Sequence, residues 1–144
     1  MCLPNAKHVF KLEREWEHAG LQCAVVQGRE GGNRCGYVRV PPGHKLHGRG
    51  YDDDVDVDVD VHGGLTFAKL EPCAHDDGVG WWFGFDCAHA GDASYEPGKE
   101  PQFIKDYMSN PALAYSSGYE HFWTHDEVVR ETEKLATQLS AIQN

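Results

Sequence analysis

Apolar and polar residues alternate most strictly between residues 54 and 62, where Val55, Val57, Val59 and Val61 are separated by Asp56, Asp58 and Asp60. A period of two puts the valines on one face of a β-strand and the acids on the other. Gly63 and Gly64 follow, then LTFAKL (65–70), which either continues that strand past a bulge or begins a new one. LQCAVVQ (21–27) and CGYVRV (35–40) are rich in β-formers and flank REGGNR, predicting a hairpin with Gly31 and Gly32 free to take positive φ. Pro41 and Pro42 end its second strand, and residues 43–50 read as a loop. WWFGFDCAH (81–89) predicts a further strand with Trp81, Phe83 and Phe85 on the core side, and Gly84 marks a place where backbone or ligand can come close.

Two segments carry helical spacing instead. VFKLEREWEHA (9–19) sets Val9, Leu12 and Trp16 at three- and four-residue steps before Gly20, predicting an N-terminal helix. Near the other end, Thr124 and Glu127 form a capping box, and Val128, Thr132, Leu135, Leu139 and Ile142 share one face of an amphipathic helix. Residues 90–123, rich in Gly, Pro, Ser and aromatics, predict long loops with one short helix near residues 103–108. Together these elements predict one α+β domain over residues 1–144. Its curved antiparallel sheet has about four or five strands, and the C-terminal and N-terminal helices pack on the valine-bearing face.

Composition restricts where such a domain works. With 40 % hydrophobic residues the chain can build a core, yet its mean hydropathy is −0.57 and no apolar run approaches the roughly 20 residues a bilayer span needs. We therefore expect no membrane partner. The first residues lack the basic-then-apolar order of an export signal. Five cysteines, an odd number without a secreted spacing pattern, read as reduced thiols, so a cytoplasmic setting is expected. A formal net charge of −10 argues against nucleic acid, and the best candidate for a basic patch, His44 to Arg49 with Lys45 and Arg49, is thin.

Candidate chemistry gathers beside glycines. His62, Asp86, His89 and Asp92 stand at or just past strand ends, where side chains can leave a sheet and converge. Three uses fit them. With His62, His89 and Asp92 as ligands they could hold a divalent metal such as zinc and activate water. Without metal, a carboxylate could orient an imidazole for acid–base work. Without any chemistry, the histidines could bond loop backbone while the aspartates fix turns. Cys73, His75, Cys87 and His89 form two C-A-H triplets whose alternate residues could share a structural zinc, and Cys87 beside Asp86 and His89 admits a thiolate nucleophile. The row Asp52, Asp53, Asp54, Asp56, Asp58 and Asp60 could imitate a phosphate backbone, or simply keep a strand face soluble. Among the many aromatics, Trp82, Tyr95 and Tyr115 are the candidates for lining a ligand pocket. No nucleophile elbow, phosphate-binding loop, dinucleotide fingerprint or CxxC pair occurs.

HGGLTF (62–67) and GFDCAHAGD (84–92), with CGYVRVPPGH (35–44) upstream and LATQL in the last helix, resemble a group of small phage and bacterial proteins without an assigned activity. The resemblance implies an intracellular setting of the phage or mobile-element kind, and no catalytic residue or cofactor comes with it. The expected function is then a metal-dependent, hydrolase-like or small-ligand-binding pocket centred on His62 and His89. Its rival is a non-enzymatic interaction protein, alone or as a homodimer, that binds a host protein or small signalling molecule through its acidic face or aromatic loops.

Overall fold

The structure, a computed structural model, describes residues 10–28, 32–50, 59–70, 80–88, 92–93, 95, 102–108 and 121–142. Five strands, β1 (Phe10–His18), β2 (Leu21–Gly28), β3 (Arg34–Val40), β4 (Phe67–Leu70) and β5 (Trp81–Asp86), form one sheet in the order β1-β2-β3-β5-β4, every neighbouring pair antiparallel. Two helices follow, α1 (Gln102–Met108) and α2 (His125–Ala141). The α+β architecture, the hairpin and the capped C-terminal helix are as the sequence predicts, the strand expected over 81–89 ends at Asp86, and 67–70 forms a strand of its own.

The N-terminal helix is a correction: residues 10–18 are strand β1. Leu12 and Trp16 are four residues apart, which suits a helix face, yet the charged residues Lys11, Glu13, Glu15 and Glu17 also alternate with their neighbours as a strand requires. Pairing with β2 decides between them. Leu12 lies opposite Val26 and Arg14 opposite Val25, so Glu13 is an extra residue and the strand carries a bulge there. The bulge reverses the facing, and for that reason Leu12 packs on one side of the sheet and Trp16 on the other. Gly20 ends no helix. With Ala19 (φ 54°) and Gly20 (φ 81°) both left-handed, these residues form the two-residue turn between paired His18 and Leu21.

Alternation splits the sheet's apolar residues into two layers. Cys23, Val25, Val38, Phe83 and Phe85 face α2 and pack with its Val128, Leu135, Ala136 and Leu139. Ala24, Val26, Cys35, Tyr37 and Trp82 face the other way. Cross-strand glycines make room for rings on each side. Gly36 lies opposite Phe85, and a side chain there would collide with Phe85 and the buried Thr132 of α2. Gly84 lies opposite Tyr37, whose ring occupies the space a Cβ would take and meets Phe67 edge-on at 5.2 Å. The close approach expected at Gly84 is thus made by an aromatic ring of the protein itself.

Of the alternating valine and aspartate segment, residues 51–58 lie outside the described residues. Its end, 59–61, is not strand but lies against α2, where Val59 and Val61 join the helix-side core. The helix grips this backbone with one stripe of side chains. Gln138 accepts the Asp60 N–H (2.7 Å) and donates to the Asp60 carbonyl (2.8 Å), and Glu131 accepts the His62 N–H (2.8 Å). Residues seven apart on a helix share a face, so a single α2 surface holds the chain that leads into His62. At the C-terminal end of α2, His44 accepts the Leu46 N–H on Nδ1 (3.0 Å) and donates from Nε2 to the Leu139 carbonyl (2.7 Å), closing the 41–50 loop over the helix terminus.

Candidate functional site

His62 occupies the second position of a turn in which Gly64 N–H donates to the Val61 carbonyl (3.0 Å) and Gly63 takes φ 70°. Buried Val61 on one side and the Glu131 contact on the other fix the backbone of the turn that carries the imidazole. Asp92 arrives from the far side on a short parallel bridge with His121, fastened where Ala93 N–H donates to the His121 carbonyl (2.8 Å). The Asn33 amide donates to the carbonyls of Cys87 (2.6 Å) and Ala93 (3.0 Å), tying the end of β5 and the Asp92 segment to the hairpin.

These two side chains meet. His62 Nε2 lies 2.9 Å from Asp92 Oδ1 and 2.8 Å from Oδ2, with the carboxylate 3 % exposed and the imidazole 21 % exposed. An ionised carboxylate only accepts hydrogen bonds, so Nε2 is the protonated nitrogen and Nδ1 the basic one. Trp123 covers the ring, its centroid 4.2 Å from that of His62 at an interplanar angle of 34°. His121 meets the same indole edge-on at 5.7 Å and donates to Glu127 (2.7 Å) in the first turn of α2. The imidazole is therefore held at Nε2 by a nearly sealed carboxylate and across its ring by an indole.

Asp86 and Trp82, candidates from the sequence, take other settings. Asp86 closes its own turn at the end of β5, accepting the Ala88 N–H (3.1 Å). Trp82 is fully buried on the sheet face opposite α2, away from the pair, and its Nε1 has no hydrogen-bond partner. Tyr95 is half-buried, while His89 and Tyr115, like Cys73 and His75, lie outside the described residues. Cys87 is buried, and burial reinforced by the nearby Asp92 carboxylate pushes its thiol above the ordinary thiol range, which suits an apolar wall rather than a nucleophile. No group of three or more His, Cys, Asp or Glu placed to hold a metal occurs among the described residues. Nor is any helix among them long and apolar enough to cross a membrane.

Trp123, His121 and Glu131 escape a motif-based reading because long-range packing brings them to the site. One local signal does mark Trp123: it directly precedes the N-cap Thr124 and joins the core that contains Val128, the arrangement of a hydrophobic staple. No protein-family model, no curated protein and no solved structure matches the chain.

Proposed function

We propose that the protein carries a small-molecule site of hydrolase-like character in which His62 and Asp92 handle a proton. The observation that carries this reading is the approach of both Asp92 oxygens to a single imidazole nitrogen, 2.9 and 2.8 Å away, by a carboxylate almost closed to water. Such a carboxylate fixes the tautomer and stabilises the imidazolium, so the ring can take a proton from water or a substrate hydroxyl and return it to a leaving group. The Trp123 face beside the ring adds an apolar wall on which a substrate could lie.

The test is turnover of a panel of chromogenic esters, phosphate esters and amides by wild type, His62→Gln and Asp92→Asn. The expected result is turnover of at least one class, with each substitution lowering kcat by about 10²-fold or more. An inactive wild type, or a His62→Gln variant as active as wild type, overturns the proposal. Elemental analysis accompanies the panel: stoichiometric zinc whose removal abolishes turnover would replace the proton-handling pair by a metal-bound water.

A further inference from the structure

Deepening the acid–base reading on which it rests, we infer that Glu13 and Arg34 are positioning residues that set the Trp123 ring against His62. The bulge in β1 leaves Glu13 without a strand partner and turns it to Arg34 at the start of β3. Arg34 donates from Nε to Glu13 Oε1 (2.6 Å) and from Nη2 to Oε2 (3.2 Å), a two-pronged pair whose side chains are 11 % and 18 % exposed. The third nitrogen, Nη1, donates to the Trp123 carbonyl (3.0 Å), and the guanidinium carbon stands 5.5 Å from the Phe122 ring centroid.

A guanidinium is planar and rigid, so fixing two of its nitrogens on one carboxylate fixes the direction of the third. The Trp123 carbonyl is thereby held from the first strand of the sheet, while its ring is set by the staple position before α2. These two constraints hold the Trp123 backbone where its indole lies 4.2 Å from the imidazole. The bulge, which has no evident use in the sheet itself, thus acquires a role at the site.

The experiment follows the His62 ring protons by NMR in wild type, Arg34→Lys and Glu13→Gln, and needs no substrate. A stacked indole displaces those protons upfield. Arg34→Lys, which keeps the charge and loses the fork, is expected to remove at least about half of that displacement, and Glu13→Gln to remove a smaller part in the same direction. Signals of His44, at the other end of α2, should stay in place. Folded variants with an unmoved His62 signature overturn the inference. Unfolding of both variants would overturn it equally, because the pair would then be a keystone of the fold and not a positioning device. An inactive wild type in the substrate panel would leave these NMR outcomes intact, so the two failures are distinguishable.

Discussion

At the scale of single residues, backbone conformation and packing room set the sharpest constraints. Ala19 is the one non-glycine residue with positive φ among the described residues, and it sits in a two-residue turn that favours Asn-Gly. An L-residue there costs about 1 kcal/mol, so Ala19→Gly or Ala19→Asn should raise stability by an amount of that order, seen as a melting temperature about 3 °C higher. No gain in either variant would mean that the turn is not left-handed. Gly36 has the opposite tolerance, since an added methyl collides with Thr132 of α2 and with Phe85. Gly36→Ala should cost about 1–3 kcal/mol, read as a lower urea midpoint at an unchanged m-value. His62 and Asp92 were legible as chemistry because adjoining glycines announced turns. Which atoms would meet was not legible, since their contact depends on a bridge to His121 that no local pattern encodes.

At the scale of elements, the contrast between β1 and α2 shows when a pattern decides structure. The α2 sequence carries its own start signal: Thr124 accepts the Glu127 N–H (3.3 Å) and Glu127 accepts the Thr124 N–H (3.0 Å). The β1 sequence carries none, and its residues suit a helix face through Leu12 and Trp16 as well as a strand through the alternating charges, so tertiary pairing with β2 settles it. Thr124→Ala should therefore loosen the first turn of α2 and cost about 1 kcal/mol. The cap is also acid-sensitive. Burial acts against ionisation of Glu127, but the bond from the Thr124 backbone and the His121 contact outweigh it and hold this carboxyl below the usual carboxylate range. Because the folded state favours the ionised form, the contribution is present above the unfolded-state value and is lost as pH falls through the lower folded-state value. Glu127→Gln should flatten the acid limb of a stability-against-pH curve while leaving the neutral region nearly parallel to wild type. An acid limb identical to wild type would place the acid sensitivity elsewhere.

At the scale of the whole molecule, two apolar layers on one sheet keep both faces away from water, and the cysteines report on both. Cys23 belongs to the helix-side layer and Cys35 to the other, while Cys87 directly follows β5 in the helix-side core. All three are free and buried. Burial pushes the Cys23 and Cys35 thiols up to about 12, and the nearby carboxylates Glu133 and Asp86 add to the effect. Thiolate is the reactive form, so each of these groups is suppressed twice, by access and by protonation. The odd cysteine count pointed to reduced thiols, but a count carries no information about depth. Depth follows from strand register, which puts Cys23 opposite Val38 and Cys35 opposite Val26. A thiol reagent at mildly alkaline pH should accordingly label no more than two of the five cysteines rapidly, with Cys23, Cys35 and Cys87 labelled only at the rate of unfolding and all five in denaturant. Mass spectrometry of the digested protein assigns each label. Rapid native-state labelling confined to Cys35 would mean that the layer on the far face opens independently of the α2 core, whereas slow labelling at one common rate for all three buried thiols would make the two layers a single cooperative unit.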